Sequence, residues 1–270
     1  MTDAFHEFEH AGWERASEFY GDAFGTLTPQ AIEPLLDAAG AKAGTQLLDV
    51  ASGPGFVAAA AAARGADVIG LDFSPAMIVE STRRHPGIAF REGDAEALPF
   101  DTGAFDAVVM SFGLLHLARP ETAIAEAHRV LRDGGRYALT VWEAPEQTIG
   151  FAMALKAIQE HGNPNVTLPE GPPMFRFSAA GEFRAVLERA GFSGIRVQTL
   201  PLVWRLPSPD SLFDALSRAG VRTTAVLRAQ TPAALDAIRV ALRRGVESYA
   251  QDGAYVVPMP AVLASAVRAS

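Results

Sequence analysis

The stretch Gln46-Leu47-Leu48-Asp49-Val50-Ala51-Ser52-Gly53-Pro54-Gly55-Phe56 constrains the fold of this chain more than any other. A short apolar run ending in an acid predicts a buried strand, and the alanine-rich residues after it predict a helix through Arg64. Between the two, Gly53 and Gly55 let the backbone turn sharply and lie against a ligand, because no Cβ intervenes. The helix start then points its unpaired N–H groups at the same place. A strand, a tight glycine turn and a helix make half of a nucleotide-binding βαβ unit.

Composition narrows the classes of function. The 270 residues carry a net charge of −8, which argues against nucleic acid as a partner, and Lys occurs only at Lys42 and Lys156. With no cysteine, thiolate metal sites, disulfides and cysteine nucleophiles are excluded. No close His/Asp/Glu ligand cluster suggests another metal site. Met1-Thr2-Asp3 opens on an acid, and the longest apolar run, Phe56 to Ala63, falls far short of the ~20 residues that span a bilayer. A cytoplasmic protein with no membrane segment is the expectation.

Apolar strands at 66–72, 88–94, 105–111 and 136–142 alternate with helical segments, which predicts a parallel sheet covered on both faces. Ahead of them, Phe5, Phe8, Trp13, Phe19, Tyr20 and Phe24 mark one or two amphipathic helices, read either as packing or as a lid over a pocket. Pro29 to Ala39 reads as a helix closed at Gly40, and Gly134-Gly135 as the stop of the helix from Pro120. Farther on, a long strand is expected over 195–206, helices over 207–251 and a strand over 254–267 whose start is weakened by Pro258 and Pro260. The whole is one domain: residues 1–40 a helical lid, 41–143 a cofactor-binding core, and 144–180 and 207–252 insertions capping a substrate. An antiparallel last pair is split by the second insertion.

Gly53-Pro54-Gly55-Phe56-Val57-Ala58 satisfies the dinucleotide pattern, with Asp72 near the ribose-binding distance. Two features count against a nicotinamide cofactor. Asp49 would set negative charge beside a pyrophosphate, whereas it suits a ligand carrying an ammonium group and a sulfonium. Asp49, Asp72 and Asp94 also close three successive strands, lining carboxylates along the sheet's carboxyl edge, where ligands of such folds bind.

Five motifs at fitting spacing carry a resemblance: Leu48 to Gly55, Gly70-Leu71-Asp72-Phe73-Ser74-Pro75-Ala76-Met77, Gly93 to Phe100, Phe105 to Val109 and Val130 to Gly135. Together they resemble the class I S-adenosylmethionine-dependent methyltransferases, in particular the methyltransferase type 11 group of ubiquinone/menaquinone-biosynthesis-like enzymes. The resemblance implies a Rossmann-like, doubly wound, mostly parallel seven-stranded sheet with an antiparallel last strand. It implies S-adenosyl-L-methionine as cofactor. Asp49 and the turn Ala51-Ser52-Gly53 with Gly55 would hold the methionine end, and Asp72 both ribose hydroxyls. Phe73 and Met77 would flank the adenine, Asp94 and the Ala95 N–H would meet its amino edge, and Ser111, followed by Phe112, would offer a carbonyl to the ammonium group. Each acid can instead cap a helix or loop. Ala51 stands where the family usually has glycine.

Methyl transfer needs alignment and a dry pocket, and a base only where the acceptor must lose a proton. His116, just past the fourth strand, is the candidate base, or else it positions the following helix. Tyr20 is a candidate lid hydroxyl over the sulfonium, or else a packing tyrosine. Thr28 is a further candidate to meet the cofactor's carboxylate; His10 and His161 are expected in solvent. Phe151, Met153, Phe175, Phe177, Trp204 and Phe213 either line a greasy pocket or fill the core. The expected partner is a small, largely apolar methyl acceptor, with oxygen or carbon methylated, and a homodimer is among the assemblies allowed. Retaining the fold without methyl transfer, as a binding protein or a rearrangement catalyst, is the rival reading.

Overall fold

A computed structural model describes residues 3–269. The chain starts with one helix, α1 (Ala4–Tyr20), capped by Asp3, whose carboxylate accepts the Phe5 N–H. A short 3₁₀ stretch leads to α2 (Ile32–Ala39), which Gly40 ends in the left-handed conformation at φ 69°. Then come β1 (Gln46–Val50), α3 (Phe56–Ala63), β2 (Asp67–Asp72), α4 (Pro75–Arg84) and β3 (Ala89–Glu92). β4 (Phe105–Ser111), α5 (Pro120–Val130) and β5 (Leu131–Trp142) complete the regular alternation.

The last part holds α6 (Ile149–His161), α7 (Ala180–Arg189), β6 (Phe192–Leu200), β7 (Val203–Leu206), α8 (Ser211–Arg218), α9 (Arg222–Arg228) and α10 (Pro232–Glu247). Three strands end the chain: β8 (Ala250–Gln251), β9 (Ala254–Pro258) and β10 (Ala261–Arg268). Seven strands form one sheet in the order β3-β2-β1-β4-β5-β10-β6. Its β1, β2, β3, β4 and β5 pair in parallel, and β10 runs antiparallel between β5 and β6. This is the expected doubly wound sheet with its antiparallel strand. The order reverses beside β1, so the crevice for a ligand opens at the carboxyl ends of β1 and β4.

Three boundaries differ from expectation. The strand foreseen over 195–206 is two strands, because Pro201 cannot continue the ladder; β7 leaves the main sheet and pairs with β9 in a second, three-stranded sheet. The segment over 254–267 is likewise divided at Met259-Pro260, with β9 in the small sheet and β10 in the large one. Gly134-Gly135 do not stop α5, which ends at Val130; they form an irregular turn inside β5, with Gly134 at φ 78°.

Two apolar layers sandwich the large sheet. On one side Leu47, Ala107, Val109 and Ala138 pack on α2, α3 and the helices of the last third. On the other, Leu48, Val108, Tyr137 and Leu139 pack on α5 and α7. The strands that carry the crevice are therefore buried on both faces and rigid, as a parallel sheet requires. α1 lies across the crevice, packed on α4 and α8, and its Glu14 carboxylate accepts the Ala76 N–H at 3.1 Å.

Candidate functional site

The backbone at the end of β1 explains the glycine turn. Ala51, Gly53 and Gly55 all have positive φ, at 55°, 50° and 84°. At Gly55 a Cβ would press on Phe90 at 2.7 Å, while beside Gly53 nothing lies within 4 Å, so Gly53 leaves an open cradle. Phe112, just past β4, is also strained at φ 55°. Ala51 and Phe112 face each other across the switch point, where backbone strain marks a functional surface more often than a structural one. They meet tightly around Gly113, where a Cβ would stand 2.6 Å from that of Ala51.

A cavity opens over this turn. Ala51, Gly53, Asp72, Phe73, Met77, Asp94, Ala95, Ser111 and Phe112 form its wall, with Tyr20 and His116 at one end. Asp72, nearly buried, accepts the Gly53 N–H at 2.8 Å and the Ser74 N–H at 3.0 Å, one on each oxygen. Each carboxylate oxygen retains a second lone pair, so the group can still receive two donors from a ligand. Burial pushes the Asp72 carboxyl up to about 6, against those two N–H bonds and with help from nearby Glu14. Asp94 accepts the Glu96 N–H at 2.8 Å, so it closes its own loop and lines the cavity as well.

Asp49, Ser52 and Gly55 are not on the wall. Asp49 is fully buried behind it, where one oxygen accepts the Ala58 N–H at 3.0 Å and fastens the first turn of α3 to the sheet. Its other oxygen and the Ser52 hydroxyl are buried without a partner. Burial, with the charge of Asp72 behind it in importance, drives the Asp49 carboxyl up to about 8. Asp49, expected to contact the ligand, thus stands beneath the turn behind the cavity wall and not on it.

A second cavity adjoins the first. Its wall is aromatic: Phe24, Phe112, Trp142 and Phe151, with Met174 and Leu216. Phe112 stacks on Trp142 at 4.2 Å, and Phe24 on Phe151 at 6.4 Å. Trp13, Tyr20, Phe112 and His116 belong to both cavities and form the passage between them. Thr28 lies here and not in the first cavity. Of the apolar residues named from the sequence, Phe151 lines the space, whereas Phe177, Trp204 and Phe213 are core. His10 is not in solvent but sets its ring edge-on to Phe73 at 5.3 Å, while His161 is exposed as expected.

Tyr20 and His116 differ in what they can do. The Thr28 hydroxyl donates to the Phe24 carbonyl, so at 3.3 Å it must accept from Tyr20. Burial and nearby Asp72 raise the Tyr20 pKa despite that bond, so the phenol stays protonated and is no base. His116 rests on the Trp13 indole, ring centroids 4.8 Å apart, and meets Glu9 through Nδ1 at 2.9 Å. Glu9 was missed in the sequence, being one acid among several on an amphipathic helix. So was Arg222, whereas Trp13, foreseen as one of the lid's aromatics, lines both cavities.

An α/β sheet with a strained glycine turn, an acid at the end of the second strand and a lined crevice at the switch point defines a nucleoside-binding enzyme fold. The sequence matches a family described as a methyltransferase domain over residues 48–139. It is 44% identical over 110 residues to a demethylmenaquinone methyltransferase of Beutenbergia cavernae, covering 41% of this chain and 46% of the relative. A protein of the same description from Thermus thermophilus is 36% identical over 177 residues, covering 58% of this chain and 79% of the relative. The fold is similar to that of a phosphoethanolamine N-methyltransferase 2 from Haemonchus contortus, solved with phosphomonomethylethanolamine and S-adenosylhomocysteine. That comparison has a TM-score of 0.61 at 18% identity and covers 100% of this chain and 61% of the other. The chain belongs to the class I S-adenosylmethionine-dependent methyltransferases. It spans about half the length of the first curated relatives it matches.

Proposed function

We propose that the chain transfers a methyl group from S-adenosylmethionine to a small, largely apolar molecule at oxygen or carbon. One observation carries this reading: a cavity edged by carboxylates and a cavity walled by aromatics share Trp13, Tyr20, Phe112 and His116 as their junction. Residues of the first cavity fit the cofactor. Asp72 has acceptor capacity for a ribose diol, Phe73 and Met77 offer apolar faces, and Gly53 leaves the room a close approach needs. Asp94 with the Ala95 N–H suits an adenine edge, and the Ser111 segment suits the ammonium end. When bound, the cofactor supplies an electrophilic methyl on a sulfonium that leaves as a neutral thioether.

The chain's own part is to align and to exclude water. α1 serves as a lid over the junction, and residues 144–180 and 207–252 serve as the cap that selects the acceptor. The relatives' description points to quinone-type acceptors, but the family match ends at residue 139, before either cap segment. Among the described residues no helix is long and apolar enough to cross a membrane. We place the chain in the cytoplasm, acting on a small molecule and not on nucleic acid, with a homodimer as the assembly to test by light scattering. Titration calorimetry with S-adenosylmethionine and its demethylated product tests the reading. Micromolar binding is expected, and no binding of either would overturn it. Screening acceptors with isotope-labelled cofactor, read by product mass, then identifies the acceptor.

A further inference from the structure

Glu9 sits on the lid helix yet is fully buried. One carboxylate oxygen meets His116 Nδ1 at 2.9 Å; the other accepts from Arg222 Nε at 2.9 Å. The remaining two nitrogens of Arg222 donate to the carbonyls of Pro172 and Leu115, and its guanidinium lies 4.5 Å over the Phe5 ring. A buried carboxylate held by an arginine has only acceptors to offer, so His116 must donate from Nδ1. In the neutral ring that leaves Nε2 as the nitrogen with a free lone pair, and His116 lines both cavities.

The second cavity also limits what it can admit. Among the described residues on its wall there is no Asp, Glu or Lys, and the one cation, Arg222, already has all three nitrogens engaged. A carboxylate entering it would lose its hydration with no free cation to receive it. Rings lining the wall favour a planar aromatic guest, which stacks on them or meets them edge-on. The Thr28 hydroxyl is already used in both directions.

We infer that the acceptor is an aromatic hydroxyl compound without a carboxylate and that Glu9 positions His116 to take the hydroxyl proton. This rests on the methyltransferase reading above. The hydroxyl O–H bond breaks, its electron pair stays on the acceptor, and the proton goes to His116 Nε2. The imidazolium formed is stabilised by Glu9 through Nδ1–H and later releases the proton to water. The freed pair makes the oxygen the nucleophile toward the methyl group; where the conjugated ring carbon attacks instead, that carbon then loses its own proton to water, which restores the aromatic phenolate. Because Glu9 and Trp13 both come from α1, the base is assembled only when the lid is seated.

Glu9→Gln separates positioning from packing. Arg222 can only donate, so it claims the single oxygen of the amide and leaves the NH₂ group facing His116. Nδ1 must then accept, and the proton moves to Nε2. In ¹⁵N-histidine-labelled protein without ligand, with the signals assigned through His116→Gln, long-range ¹⁵N–¹H correlation is expected to show the Nδ1–H tautomer in the wild type and Nε2–H in Glu9→Gln. Calorimetry with 1-naphthol, 1-methoxynaphthalene and 1-naphthoate tests the acceptor class. Naphthol should bind the wild type about fivefold more tightly than its methyl ether, one hydrogen bond's worth. That preference should vanish in Glu9→Gln, and naphthoate should bind weakest. A wild-type Nε2–H tautomer, equal binding of naphthol and its ether, or tighter naphthoate would overturn the inference. None of these readouts uses S-adenosylmethionine, so a failure of cofactor binding would count against the methyltransferase reading alone.

Discussion

The wall proposed to face the cofactor comes mainly from one run of chain, Ala51 to Leu117, whereas the wall proposed to face the acceptor is gathered from pieces between Trp13 and Thr223. The first is built by backbone: strand ends, positive φ angles and N–H groups held by Asp72. The second is built by side chains that meet through packing alone. A region of the first kind tolerates little change in its turn residues, because the backbone itself forms the surface. A region of the second kind can be rebuilt piece by piece, so it is where acceptors can diverge.

The comparison can be broken first at Phe112, which belongs to both walls. Its φ of 55° suits glycine, yet its ring is buried and stacks on Trp142. Loss of a buried Phe side chain costs about 3–5 kcal/mol, from which relief of left-handed strain returns about 1–2 kcal/mol. Phe112→Gly is therefore expected to destabilise by about 2–3 kcal/mol in a denaturant titration. A neutral result would mean that the ring does not hold the two cavities together. Next comes Asp72→Ala, which removes the proposed ribose acceptor. Two charge-assisted hydrogen bonds at about 1.5 kcal/mol each predict about a hundredfold loss of S-adenosylmethionine affinity by calorimetry. Naphthol binding should hold within about twofold, since Asp72 does not line the second cavity.

A smaller effect follows from pH. The Asp72 carboxyl is raised from its ordinary 3.8 to about 6, and Asp49 to about 8, by burial. A raised acid stabilises the fold while it is protonated, and that contribution fades as pH climbs through the folded values. The ligand-free chain should therefore lose stability between about pH 4, the unfolded value, and about pH 8, the higher folded one. Hydroxyl donors prefer the ionised Asp72, so cofactor affinity should move the opposite way, rising about tenfold from pH 5 to pH 7. Thermal shift with and without cofactor measures both trends. Parallel trends would show that Asp72 does not receive the ligand.

The difference between the walls also explains what was legible in the sequence. Asp72, Asp94, Gly53 and Phe112 could be placed because a strand end and a turn fix a residue's position from its neighbours in the chain. The same local logic put Asp49 at the right height but on the wrong side: the strand end brings it beneath the turn, where the α3 N–H of Ala58 takes it. Glu9 lies 107 positions from His116 and 213 from Arg222, and no local pattern announces such a meeting. The break at Pro201 was visible as a proline, but its consequence, a second sheet, depends on β9 being at hand. His10 on Phe73 and Thr28 in the second cavity were likewise decided by how α1 and its trailing turn settle on the sheet.

The finest test of the backbone half is Ala51→Gly. Ala51 holds φ 55°, which costs an L-residue about 1–2 kcal/mol that glycine avoids. Against this, glycine gives the unfolded chain extra freedom, about 0.4–1 kcal/mol, and a half-buried methyl is lost, about 0.4 kcal/mol. The balance favours the variant by a few tenths of a kcal/mol, which for a chain of this length raises Tm by about 1 °C. Cofactor affinity should hold, since the group facing the ligand at this point is backbone. If the wall is instead specified by side chains, as on the acceptor side, Ala51→Gly will lower both Tm and affinity, and the distinction between the two walls will not stand.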